Sequence, residues 1–520
     1  MTSTKRADDT PEVAHLGVRP RALSDRLEAA PGRYLLFFSV IYLIAECCSN
    51  HRREFWCDEL ITYHLANLPS ISQILPLIRK GIELNPPLPF WITWIVHHTL
   101  GSGEVLTRLP GVIGFWAMCL CLFWFVRRRS DASHGFLALI LPLFTYTAWD
   151  GTWARGYGLL LGFSGAALLS WQLASDGVRR QVTVPAMALS IAGAISCHYY
   201  ALYVFGALGI GELVRTLIGK RIDWPVLVGM AGGVALLAAY IPLLRTAKAA
   251  STSFWITPMP RFLYESYADL FGPAAMVFLL LALWTLRLPG SGTWTPPATL
   301  AHEVAACATF SAMPLVVFAT SQFTTVPFFT RYVQPVVIGF TVTGVLFLYR
   351  FGGSNRRFRN VAISLVVWVG FAPWAFWHII QETKGDLWPS VQNRLALPTN
   401  PSLPVVIAKD DDFMVAYHYA PPSTRKQLYF LSDTRSALRY SGSDTWERSL
   451  TLAQTFHDFH MIGYVDFISR HREFFVERTA AEEWVLMKLL ADGADVRLVD
   501  LHKPLGSFVD DRLLFHVNIR

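Results

Sequence analysis

Charge is scarce in this sequence. Only 16% of its 520 residues are Asp, Glu, Lys or Arg, against about a quarter in soluble domains, and 53% are hydrophobic. A soluble fold cannot hide that much apolar surface. Cysteine is also sparse: the seven are Cys47, Cys48, Cys57, Cys119, Cys121, Cys197 and Cys307, all in or beside apolar runs. That argues against a disulfide framework and against a CxxC metal site. No four-ligand zinc spacing, Walker loop, GxSxG or strand-to-helix GxGxxG occurs, so those enzyme classes lose support. No repeat of roughly 20 to 50 residues is evident. Residues 1–33 are polar and lack the short apolar core and small-residue cleavage site of a signal peptide, so Tyr34 is expected to open an uncleaved first span.

What is present is apolar length. Runs long enough to cross a bilayer, roughly 20 residues each, fall near 34–50, 108–126, 134–149, 155–174, 183–198, 199–215, 224–244, 268–287, 303–320, 333–349 and 360–380, about eleven spans. The mean hydropathy is +0.35. The net charge of +7 does not mark a nucleic-acid partner, because the basic residues stand in short clusters between apolar runs rather than on one stripe. Those clusters are Arg127-Arg128-Arg129, Arg179-Arg180, Arg215 with Lys220-Arg221, and Arg350 with Arg356, Arg357 and Arg359. If the short apolar segment 86–100 lies in the interface without crossing, every cluster falls on the side of the N-terminus, which the positive-inside rule makes cytoplasmic.

The expected fold is mainly α. Residues 1–33 form a cytoplasmic N-terminal segment, 34–380 a polytopic transmembrane domain with an outer first loop at 51–107, and 381–520 a small soluble α/β domain on the outer side. In that tail, 404–408 and 427–431 read as strands, and the stretches around 444–456 and 480–490 as helices.

Candidate chemistry gathers on the outer side. Asp58 and Glu59 follow Phe55-Trp56-Cys57, where carboxylates are costly unless solvated, paired or used; the alternative is an ordinary acidic helix start. Adjacent helical side chains diverge, so the two cannot easily address one atom. One can do chemistry while the other holds a loop. Glu83-Leu84-Asn85-Pro86-Pro87 reads as a rigid turn between helices. Asp150 lies in a short outer loop that leads to Arg155-Gly156-Tyr157. Arg155 sits where a guanidinium either grips a lipid phosphate or simply snorkels. Arg331-Tyr332 repeats the Arg-aromatic pattern before a later span. His198-Tyr199-Tyr200 either stacks on sugar or lipid, or anchors the interface. In the tail, Tyr417-His418-Tyr419 either faces the site or forms a buried aromatic strand.

Taken in order, the first span, the Asp58-Glu59 pair, Asn85-Pro86-Pro87-Leu88, Glu104 to Pro110 (EVLTRLP), Ala154 to Tyr157 (ARGY) and Arg331-Tyr332 resemble the GT-C membrane glycosyltransferases. The resemblance is to the bacterial, family 39-like relatives of the protein O-mannosyltransferases and of the lipid A aminoarabinose transferase. It spans about residues 30–380. It implies an inverting transfer, outside the cytoplasm, of a hexose, pentose or related sugar from a polyprenyl-phosphate donor to a glycolipid, glycan or protein acceptor. It carries the catalytic carboxylate onto Asp58, the second acid onto Glu59 and a donor-phosphate position onto Arg155. Asp150 resembles a second acidic residue of the same loop, and Tyr157, Arg331, Tyr332, Asn85 and His198 join the donor-side candidates. A bacterial inner membrane suits the absence of eukaryotic lumenal modules. The chemistry agrees: a carboxylate can deprotonate an acceptor hydroxyl, and a phosphate leaving group needs positive charge rather than a general acid. No cofactor is expected; the resemblance leaves room for a divalent metal, but no residue cluster in the sequence indicates one. Two rival classes are a lipid-linked glycan flippase and a catalytically silent assembly subunit; paired repeats and mid-membrane broken helices would favour the flippase.

Overall fold

The computed structural model describes residues 23–250, 259–268, 270–272, 276, 301–324, 327–351, 356–380, 387–395, 397–398, 402–454, 458–479, 483–502 and 511–519. Most of the N-terminal segment and most of the expected span at 268–287 lie outside them.

Helices dominate. Among the described residues, six are long and apolar enough to cross a membrane: Pro31–His51, Glu104–Arg127, Tyr157–Ser175, Ala201–Gly219, Trp224–Ala249 and Arg359–Ile380. A seventh is added if Ala301–Ser311 and Met313–Phe323, bent by 54°, count as one span, and Ala132–Phe144 and Val336–Arg350 are shorter apolar helices. Each coincides with an expected apolar run. The run at 183–198 is also a helix, Arg180–Cys197. Leu36, Leu189, Val228 and Leu365 stand 67%, 72%, 65% and 57% exposed on these helices, a surface suited to lipid rather than water. The protein is a multi-pass membrane protein.

Two packing features set the frame. Tyr42 stacks on Trp116 at 4.3 Å and on Trp374 at 5.8 Å between ring centroids, joining the helix Pro31–His51 to the last membrane-length helix, Arg359–Ile380, as well as to Glu104–Arg127. Helices Glu104–Arg127 and Tyr157–Ser175 cross so closely that a Cβ at Gly114 or Gly158 would collide with the opposite backbone. Small residues permit that approach where lipid offers helices no hydrophobic drive to associate. This crossing lays the 152–156 turn over the first loop.

The expected juxtamembrane segment is the helix Leu88–Leu100, 13 residues long. At 1.5 Å per residue it reaches only about 20 Å, short of a ~30 Å hydrocarbon core. Trp94 donates to Leu68 O at 2.8 Å, and His97 meets Thr107 Oγ1 at 2.9 Å, so it is held against its neighbours in the first loop.

The tail forms a six-stranded mixed sheet, β1 Val405–Ile407, β2 Leu428–Ser432, β3 Met461–Gly463, β4 Glu473–Thr479, β5 Asp495–His502 and β6 Arg512–Asn518, in the order β3-β2-β1-β4-β6-β5. β1 to β4 pair in parallel, while β6 runs antiparallel to both β4 and β5. Val406, Leu431, Phe474 and Val476 lie at its core. The expected strands and helices are present, but Tyr417-His418-Tyr419 is not a strand. It ends the helix Asp410–Tyr419, because three aspartates favour a helix start through the macrodipole and Phe413, Met414 and Tyr417 then share a buried face. That helix packs against Cys57–Ala66 of the first loop.

Candidate active site

The helix Cys57–Ala66 carries Asp58 and Glu59 in its first turn, and successive helical residues point to different neighbours. Glu59 turns inward. Arg108 grips it with two bonds, Nε to Oε1 at 2.7 Å and Nη2 to Oε2 at 2.6 Å, with 0% and 1% side-chain exposure. The same carboxylate accepts from the backbone N–H groups of Trp56 at 2.9 Å and Ala154 at 2.8 Å. The rest of the Arg108 guanidinium donates to the carbonyls of Asn50, Arg53 and Glu54. Burial pushes the Glu59 carboxyl up, but the Arg108 charge and these hydrogen bonds outweigh it and hold it down at about 2. This is a closed buried pair of the strong, bidentate kind, and it ties the first loop to the 152–156 turn.

Asp58 faces the other way, with a side chain that keeps 13% exposure and meets Arg331 Nη1 at 3.3 Å. Arg155 donates to the backbone carbonyl of Asp58 at 3.3 Å and to Glu83 Oε2 at 2.5 Å. Glu83 Oε1 in turn accepts from the Leu84 and Asn85 backbone N–H groups and from Asn85 Nδ2 at 2.9 Å. The turn is therefore a carboxylate holder for Arg155, with Asn85 bracing it. Arg331 lies over the rings of Phe329 and Tyr332, at 5.1 and 5.9 Å. Its Nε is buried without a hydrogen-bond partner.

His198 completes the wall, 5.8 Å from Tyr157 and 5.4 Å from Tyr332 between ring centroids. Its Nδ1 accepts from the Tyr200 N–H. Burial first, then the charges of Arg155 and Arg331, pulls its pKa down to about 3, so the ring is neutral. Asp150 accepts from Gln334 Nε2 at 3.0 Å. Burial lifts its carboxyl to about 6 against the opposing pull of Arg331, Gln334 and Arg53.

The structure thus brings Asp58, Arg155, Tyr157, Arg331, Tyr332 and His198 around one spot, with Asp150 beside Arg331 and Asn85 behind Arg155. Glu59 stands apart inside its clamp. Two members were not singled out from the sequence as site residues, Arg108 and Glu83. An arginine inside an apolar run is a signal in its own right, since an ionisable group at that depth needs a partner; Glu83 gave none beyond its place before two prolines.

The bundle of membrane-length helices with its long helical first loop has the GT-C fold. The crystal structure of ArnT from Cupriavidus metallidurans bound to undecaprenyl phosphate aligns at a TM-score of 0.51 and 13% identity, covering 94% of this chain and 98% of that one. Its apo state aligns at 0.53 and 14% identity, with the same coverage. The Archaeoglobus fulgidus oligosaccharyltransferase is a looser match, with a TM-score of 0.41 and 12% identity over 87% of this chain and 70% of that one. No protein-family model and no curated protein matches the sequence.

Proposed function

We propose that this protein is an inverting glycosyltransferase that moves a sugar from a polyprenyl phosphate to an acceptor hydroxyl at the outer face of a bacterial inner membrane. The carrying observation is the pairing of a partly open carboxylate, Asp58, with a guanidinium that has capacity left, Arg331, 3.3 Å away. The shared fold with a transferase bound to undecaprenyl phosphate supports the same donor class.

In this reading Asp58 takes the proton of the acceptor hydroxyl as its oxygen bonds to the anomeric carbon. The bond from that carbon to the phosphate oxygen breaks in the same displacement, which inverts the centre, and the electron pair leaves on polyprenyl phosphate. Arg331 stabilises the charge growing on the bridging oxygen. Arg155, already paired with Glu83, holds the Asp58 backbone and adds positive field from behind. Tyr157, Tyr332 and the neutral His198 line the sugar side. Glu59 positions the loop through Arg108. The N-terminus is cytoplasmic, and the tail lies outside with the site. The acceptor is a glycolipid, glycan or protein.

The experiment is transfer of a labelled sugar from a polyprenyl-phosphate donor in membranes containing wild type or Asp58→Asn. The variant is expected to retain assembly and lose transfer. Full activity in Asp58→Asn removes the proposal. Mass spectrometry of cell-envelope glycoconjugates with and without the gene then identifies donor and acceptor.

A further inference from the structure

Cys57 and the pair Asp410 and Asp411 are some 350 residues apart in sequence, yet Cys57 Sγ and one oxygen of each carboxylate lie within 4.8 Å of one another. All three are buried, at 0%, 5% and 8% exposure. Asp410 Oδ2 and Asp411 Oδ1 are shut off from water and accept no hydrogen bond. The thiol of Cys57 donates to Met414 Sδ at 3.4 Å, and burial, then Asp411 and Asp410, push its pKa up.

The compensating charge nearby is small. Lys409 Nζ is 3.7 Å from Asp411 Oδ2. Arg394 and Arg512 face the cluster's edge, but both bond Asp412. Asp58 and Glu447 add negative field. Two carboxylates with open lone pairs in a dry contact are expensive. Either protons neutralise them or a cation does.

We infer that Cys57, Asp410 and Asp411 form a divalent-cation site of the zinc class, with water as fourth ligand, clasping the tail helix to the helix that carries Asp58. A thiolate among carboxylates favours Zn2+ over the hard cations Mg2+ and Ca2+. Ligands at about 2.0–2.3 Å in a tetrahedron stand roughly 3.3–3.8 Å from one another, a closure that side-chain rotation can supply. Binding displaces the thiol proton and any carboxyl protons, and frees Lys409 from Asp411. The sequence offers no spacing signal for this set, because its members meet only when the tail docks. The site stands whether or not the chain transfers sugar.

The test uses the full-length protein in detergent, stripped with a chelator and titrated with Zn2+ and, separately, with Co2+. Stoichiometric binding, a thiolate-to-cobalt charge-transfer band and a raised Tm are expected for wild type. Cys57→Ser should abolish the band. Asp410→Asn with Asp411→Asn should weaken binding by more than the roughly 10- to 100-fold that loss of an outer-shell partner costs, while the metal-free variant keeps the wild-type Tm or exceeds it. Asp58→Asn removes only a neighbouring charge and no ligand, so it should keep the stoichiometry and the cobalt band with at most a modest loss of affinity, which separates this site from the transfer reaction. Absence of stoichiometric binding in wild type, or binding and a band that survive both sets of substitutions, overturns the assignment.

Discussion

Asp58-Glu59 in the first loop and Asp410-Asp411 in the tail are both adjacent carboxylate pairs in the first turn of a helix, and the two helices pack against each other. Their surroundings differ. The first-loop pair has guanidinium partners supplied by the chain, Arg108 on Glu59 and Arg331 on Asp58. The tail pair has one lysine at 3.7 Å from Asp411 and two carboxylate oxygens with no partner. A buried charge whose counterion is built in becomes architecture, as Glu59 does. One whose counterion is left to solution becomes sensitive to protons and cations.

The largest effects should separate the members of the first pair. Asp58→Asn is expected to lower transfer by roughly 10²- to 10⁴-fold, the range of a lost general base, with Tm unchanged; donor-turnover assays beside a thermal melt check both parts. Glu59→Gln is expected to act the other way round, costing about 3–5 kcal/mol of stability because Arg108 is left buried without its counter-charge. If the two variants behaved alike, the division of labour between these neighbours would be lost.

Arg331→Ala should lower turnover by about 10²- to 10³-fold, as loss of one preorganised donor does. Single-turnover kinetics at saturating donor would show the loss in the chemical step.

The smallest effect sharpens the tail side of the comparison. Burial, then the opposing pull of Lys409 and the push of Asp412 and Asp58, leaves Asp411 at about 6 rather than its ordinary 3.8. A raised acid contributes stability that is full below 3.8 and is lost as pH rises through 6. Glu59, held at about 2 against an ordinary 4.5, contributes stability that is full above 4.5 and is lost only as pH falls through 2. Metal-free protein should therefore melt lower at pH 8 than at pH 5, and Asp410→Asn with Asp411→Asn should recover roughly 1–3 kcal/mol at pH 8. Asp150, also raised to about 6, shares the direction, so the double variant isolates the tail's share of the slope.

Much of the architecture was legible from local pattern. Apolar runs mark the helices because lipid demands it, and the Gly114–Gly158 crossing needs residues without side chains. The strands β1 and β2 announce themselves as short apolar runs, whereas Tyr417-His418-Tyr419 misleads: aromatic residues suggest a strand until the aspartates seven to five places earlier start a helix. Asp58, Arg155 and Arg331 could be named from order and chemistry. Which arginine holds which acid could not. By charge Arg155 suits a phosphate or a carboxylate equally, and only the fold shows that Glu83 pairs with it.

By itself, then, the sequence determined that the chain crosses a membrane many times, that its tail mixes strands and helices, and that acids and arginines gather beside its spans. Those properties depend on hydropathy, periodicity and composition, which are read within a window of residues. Only the tertiary structure decided that Glu59 is clamped by Arg108 while Asp58 stays open beside Arg331, and that Cys57 meets Asp410 and Asp411. A buried charge is defined by what lies within a few ångströms of it, and those neighbours come from wherever the fold brings the chain back.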